Sequence, residues 1–278
     1  MSILISNSAD AAHYLKQNQS NLQKSLKRLS SGKKIIGGSE DPGGLAVSMK
    51  INASIKRLAG AESNVQNGIS FLEVQDGILE TIGNIVTRIS ELKGLVSDDP
   101  LKGDDEKASY QAEFEELVSQ FTSLKKMAFN GVSLFSDTAG AGTKDTKTIA
   151  IDETGTNTIT ISLGNLQKSD LTTVFDANKT IDPDGTGTEV TVEEINTALD
   201  WVATLRAGNG SGQNRLQFMS QSLSLQKVNM VSALDRLEGI DLAEEAANMA
   251  KHSILLQASA AMVSQANSSS DIALMLLS

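Results

Sequence analysis

At 278 residues the chain can bury one large core or two modest ones, and its formal charge of −10 argues against nucleic acid and anionic membrane as partners. It has no cysteine, which removes disulfides, thiolate metal sites and cysteine nucleophiles together. Aromatic residues make up only 4% and there are three prolines, a composition suited to long helices packed on helices.

The N-terminus, MSILISNSADAAHYLKQ, lacks the basic start, apolar run and small-residue cleavage site of a secretory signal. No apolar run reaches the roughly 18 residues of a membrane span. From Ala12, the apolar positions Leu15, Leu22, Leu26 and Leu29 follow spacings of three, four or seven, a narrow stripe on a polar helix that Gly32 ends. A linker, GGSEDPGG, supplies Asp41 as an N-cap and Pro42 as a first helical residue. The second helix carries Ile51, Ile55, Leu58, Val65, Ile69, Leu72 and Leu79, with Glu62 and Asp76 at the seam positions that lack an apolar residue. It is expected to run to about Ser97, too long to be the core of a sphere. SDDPLKGDD breaks it, and Phe114, Val118, Phe121 and Leu124 mark a third, antiparallel helix.

Between residues 130 and 190 helical periodicity disappears and Thr, Gly and Asp are abundant. Ile149 and Ile151, then Ile159, Ile161 and Leu163, alternate on either side of TGTN, which predicts a hairpin. Helical spacing returns with Ile195, Ala198, Trp201 and Leu205 and continues through Leu216, Leu223, Met230, Leu234 and Leu237 to a break near Gly239. The last segment is again helical and markedly apolar. An antiparallel pairing of residues 1–34 with 240–278 would bury Leu242, Met249, Leu256 and Val263 on the N-terminal stripe. The fold class is therefore mainly α, with long antiparallel helices from both termini forming a coiled-coil-like bundle around a small central β-rich insertion. Two helices alone leave most of each apolar surface wet, so more copies of the chain are required.

No chemistry stands out. The two histidines, His13 and His252, lie in the terminal helices without a second ligand nearby, and there is no HExxH motif. AGNGSG at 207–212 follows a helix and lacks phosphate-loop spacing; with Gly208, Gly210 and Gly212 it reads as a flexible joint. The acidic clusters SDDP and GDDEK lack calcium-loop spacing, and Trp201 reads as a packing anchor. The expectation is no enzyme, no metal and no cofactor.

Five stretches in fixed order, LKRLSSGKKI at 26–35, NGIS at 67–70, FNGVSL at 129–134, GQNRL at 212–216 and ANMAKHSILLQASAAMVSQAN followed by LMLLS, resemble bacterial flagellin. The resemblance covers roughly residues 1–135 and 191–278. It implies a structural subunit that self-assembles into the extracellular flagellar filament for motility, exported by the flagellar type III apparatus without a cleavable signal. In that arrangement 1–44 and 238–278 are terminal helices of the inner tube with their linkers, 45–135 and 191–237 are the long-helix outer tube, and 136–190 is an exposed variable insertion. Leu15, Leu22, Leu26, Leu29, Leu242, Met249, Leu256 and Val263 are then the inner-tube packing residues. Implied partners are other copies of the chain, an export chaperone on the C-terminal helix, hook–filament junction and cap proteins, and the vertebrate Toll-like receptor for flagellin. The positions matching that receptor contact are Arg88 and Leu92 in TRISEL and Glu113 in AEFEEL. The alternatives are a hook–filament junction protein and a secreted adhesin with flagellin-like ends. Against the family pattern, AGNGSG replaces an apolar helical stretch, which predicts a bend or local unwinding.

Overall fold

The computed structural model describes residues 2–97, 103–136, 146–182 and 188–277. Six helices and six short strands follow in chain order: α1 (Ser2–Ser31), α2 (Pro42–Ser97), α3 (Asp104–Leu124), β1 (Ala128–Phe129), β2 (Val132–Ser133), β3 (Thr146–Ala150), β4 (Thr158–Ser162), α4 (Ser169–Thr172), β5 (Lys179–Thr180), β6 (Thr188–Glu189), α5 (Val192–Glu238) and α6 (Leu242–Leu277). The break between α2 and α3 lies largely at 98–102, outside the described residues.

Helix ends follow local chemistry. Gly32 closes α1 with φ +67 and its N–H bonded to the Arg28 carbonyl at 2.8 Å, a left-handed conformation that glycine adopts without a Cβ penalty. Asp41 caps α2, accepting the Gly44 N–H at 2.8 Å, with Pro42 at the first helical position. Thr191 and Glu194 form a reciprocal capping box at the start of α5. Asp241 accepts the Ala243 and Glu244 N–H groups at the start of α6.

The chain folds as two compact units, residues 1–55 with 228–278, and residues 56–227. The division falls inside α2 and α5, within helices and away from the linkers, and it places the insertion in the same unit as the long helices. In that unit α2 and α5 run antiparallel: Lys227 pairs with Glu62 at 3.0 Å and Arg206 grips both Asp76 oxygens at 3.1 Å. The α2 stripe contains Leu58, Val65, Leu72, Leu79 and Val86, all buried. Its companion row is Ala61, Gly68, Gln75, Ile82, Ile89 and Val96, buried throughout. It lies one residue before the expected row through Glu62, Ile69 and Asp76, which flank the seam; Gly68 and Gln75 hide this row from a hydrophobicity count. Gln75 meets its buried position by donating to the Leu134 carbonyl. On α3, Phe114, Val118 and Phe121 are buried.

Helix α5 continues through 207–212, so the expected joint or unwinding is absent. Each interior glycine costs about 1 kcal/mol relative to alanine, and tertiary contacts offset this here. Asn209 donates to the Leu72 carbonyl at 3.2 Å, and α5 approaches α2 so closely that a Cβ on Gly212 would lie 3.0 Å from Leu72 Cδ1. On the preceding turns Ile195, Ala198 and Val202 are buried, while Trp201 is half-buried and donates its indole N–H to the Asn165 carbonyl at 2.9 Å. Trp201 is thus a packing anchor, on the insertion side of the seam.

The predicted hairpin forms as β3 and β4, paired antiparallel from Thr146↔Ser162 to Ala150↔Thr158. Ile159, Ile161 and Leu163 are buried, as are Leu166, Leu171, Val174, Phe175, Ile181 and Val190. Phe175 stacks on Phe121 of α3 with ring centroids 3.8 Å apart. The segment through β5 and β6 is fastened on three sides. Gln111 accepts from Thr180 and Ile181, Lys179 bonds Glu194, and Lys93, with only 6% of its side chain exposed, pairs with Glu189 and the Ile181 carbonyl.

Candidate functional site

Helices α1 and α6 pack together within the terminal unit. Their pairing is antiparallel: Asn18 Nδ2 donates to Ser259 Oγ at 2.7 Å, and Arg28 lies 3.9 Å from Glu245. Where the chain leaves α1, the Lys34 N–H donates to the Glu238 carbonyl at 2.7 Å and Lys33 pairs with Glu238 at 2.8 Å.

Two interleaved rows form the seam. On α1, Leu15, Leu22 and Leu29 recur every seven residues and are half-buried; Asn18 and Ser25 recur at the same interval between them. On α6, Met249, Leu256 and Val263 are half-buried, alternating with Glu245, His252 and Ser259. One layer in two is therefore polar, which no count of apolar residues reveals. His252 turns Nδ1 into the seam without a hydrogen-bond partner among the described residues.

Six of the eight residues expected to pack thus lie on this seam, and two lie off it. Leu26 faces outward at 48% exposure. Leu242 shares the heptad position of Met249, yet is 59% exposed, so its expected burial on the N-terminal stripe does not occur. The reason is geometric: α1 ends at Ser31, and no α1 turn remains opposite the first turn of α6. Ile254 and Met262, each 66% exposed, add further uncovered apolar surface to α6.

Helices α1 and α6 therefore leave apolar surface uncovered within one chain. The profile of the bacterial flagellin N-terminal helical region matches residues 5–140, and that of the C-terminal helical region matches 192–277. Flagellin of Halalkalibacterium halodurans is 32% identical over 257 residues, covering 92% of this chain and 91% of that protein. The chain belongs to the bacterial flagellin family. Flagellin of Bacillus subtilis is 30% identical, covering 95% of each chain, and a flagellar filament 30.7 kDa core protein of Treponema maltophilum is 28% identical, covering 94% of each. As a family member the chain is a structural subunit of the extracellular flagellar filament, and secretion and motility follow from that membership. The readings as junction protein or adhesin give way to this one. Among the described residues of this flagellin, no helix is long and apolar enough to cross a membrane.

The second set of expected residues lies in the 56–227 unit. Arg88 donates to both Glu113 oxygens at 2.6 and 3.1 Å and to Glu91 at 2.9 Å, joining α2 to α3. That bidentate bond holds the Glu113 carboxyl below its ordinary value and raises Arg88 above its own. Leu92 is fully buried, so its side chain presents no surface to a partner of the isolated chain. The helical spacing placed Arg88 and Leu92 four apart on one helix, but the sequence did not reveal that the second is buried.

Other carboxyls are also held low. Glu238 is lowered first by its bond from Lys33, then by Ser48. For Glu194, burial works upward and is outweighed by Lys179 and the Thr191 backbone. Because these folded values lie below the ordinary 4.5, the stabilisation is complete above about pH 4.5 and is lost as pH falls through the folded values. The urea midpoint should hold between pH 7 and 5 and decline below about pH 4.5. In Glu238→Gln the part of that decline carried by the terminal unit should be smaller, as followed by circular dichroism of polymer, where Lys33 is held beside Glu238.

Proposed function

We propose that Leu15, Leu22, Leu26, Leu29, Leu242, Met249, Leu256 and Val263 make the inner-tube packing of this flagellin. The half-buried six would close each terminal pair, while Leu26 and Leu242 would meet neighbouring copies. What supports this is the apolar surface of α1 and α6 left without cover inside one chain. The contacts must be heterologous, since head-to-tail packing that does not close builds an open helical polymer. On this reading 1–44 and 238–278 form the inner tube, 45–135 and 191–237 the outer tube, and 136–190 the outward-facing insertion.

The same surface suits an export chaperone on α6, because an amphipathic helix with no partner docks readily into an apolar groove. Export without a cleavable signal, and contact with junction and cap proteins at the filament ends, follow from the same reading. Recognition by the Toll-like flagellin receptor would rest on Arg88 and Glu113, with Leu92 acting only as support beneath them. The deciding measurement is hydrogen exchange on verified monomer and on polymer. Residues 2–34 and 240–277 should exchange freely in monomer, where a seam with polar layers gives little to oppose ordering entropy, and be protected in polymer. Strong protection of both segments in monomer would refute it.

A further inference from the structure

The terminal seam has an ambiguity built into its spacing. Leu15, Leu22 and Leu29 lie seven apart, as do Met249, Leu256 and Val263. Sliding α6 along α1 by one heptad, about 10 Å at 1.5 Å per residue, again sets apolar rows against apolar rows. Both helices extend beyond the seam, α1 from Ser2 and α6 to Leu277, so the slide shortens the contact little. Apolar burial therefore barely distinguishes the registers.

The polar layers do distinguish them. In the observed register Asn18 Nδ2 donates to Ser259 Oγ at 2.7 Å and lies 3.4 Å from the Leu255 carbonyl, while Arg28 faces Glu245. A one-heptad slide puts Asn18 against Ala266 or His252. It also separates Arg28 from Glu245, whose residue is 7% exposed. The slide toward Ala266 strands Asn18 in an apolar layer, at a cost that exceeds the value of its bonds; the slide toward His252 keeps a polar pair there but leaves Ser259 against Ala11 and breaks the Arg28–Glu245 pair. A single polar residue at a seam position is a recognised means of fixing coiled-coil register at some expense in stability.

We infer that the Asn18–Ser259 pair, supported by Arg28–Glu245, is the register lock of the terminal helices. This inference rests on the reading that these helices pair in the filament. The competing device is the backbone tether at Lys33–Lys34 and Glu238–Gly239, which closes the pair from one end.

The absence of native cysteine allows a direct test. Spin labels on Gln19→Cys and Gln257→Cys, both at exposed positions, report the register by pulsed electron resonance in filaments diluted with unlabelled chain. The otherwise native chain should give one narrow distance. Asn18→Leu with Ser259→Leu keeps the tether and adds apolar surface; it should give a second population in which the helices are offset axially by about 10 Å. Exchanging the partners, Asn18→Ser with Ser259→Asn, should restore the single distance. A leucine variant that keeps the native distance alone would overturn the lock and assign register to the tether. If that variant does not polymerise, Asn18→Ala with Ser259→Ala decides in its place: a second, offset population in its filaments upholds the lock, and the native distance alone assigns register to the tether and overturns it. Failure of the filament reading would show separately, as unsubstituted chain that does not sediment or labelled native filaments without a defined distance.

Discussion

Leu256→Asp combined with Val263→Asp should abolish polymerisation while the 56–227 unit stays folded. Both side chains are half-buried against α1, seven residues apart on the apolar row of α6, and neither belongs to the 56–227 unit. Burying an unpaired carboxylate costs several kcal/mol. Here the penalty is incurred twice per chain and again in every copy added. Seeded sedimentation should leave the variant in the supernatant under conditions where the wild type pellets. The urea transition of the 56–227 unit, followed by its single tryptophan, Trp201, should match the wild type. Filaments of ordinary length from this variant would defeat the inner-tube assignment.

The second large effect concerns Lys93 and is asymmetric. Its ammonium is buried, whereas Glu189, its partner, is 44% exposed. Removing the carboxylate by Glu189→Ala leaves a buried charge with, among the described residues, only the Ile181 carbonyl, 3.1 Å away, and should cost about 3–5 kcal/mol. Lys93→Met instead returns Glu189 to water and fills a similar volume. It leaves mainly the Ile181 carbonyl unsatisfied and should cost about 1–3 kcal/mol. Urea denaturation followed by Trp201 fluorescence ranks the two; a larger loss for Lys93→Met would mean that Lys93 is not the costly member of the pair.

Much of the architecture was legible in the sequence because local signals and tertiary packing agree there. The Asp41–Pro42 start, the Gly32 stop and the TGTN hairpin all form as their residue types dictate. Where packing overrides propensity, the sequence misled. AGNGSG carries three glycines and still continues a helix, because Asn209 and Gly212 have contacts on Leu72 that only the folded pair supplies. The second α2 row escaped because a glycine and a glutamine occupy core positions. At the terminal seam the apolar half of the pattern was visible, but the polar half, Asn18 and Ser25 against Glu245, His252 and Ser259, looked like ordinary helix surface. The resemblance placed Leu92 with Arg88 at a receptor contact, whereas its side chain is buried, which four-residue spacing alone does not reveal.

Helices α2 and α5 each cross from one compact unit into the other without interruption. Nucleating a helix is the unfavourable step in its formation, with a statistical weight of about 10⁻³, whereas each added residue is close to neutral. Residues 42–55 and 228–238 therefore never need to start a helix afresh. They extend turns already templated at 56 and 227, as far as the helix ends at Pro42 and Glu238. On the inner-tube reading, an arriving subunit would meet the growing end with its ordering already begun, and elongation would depend on propagation and docking.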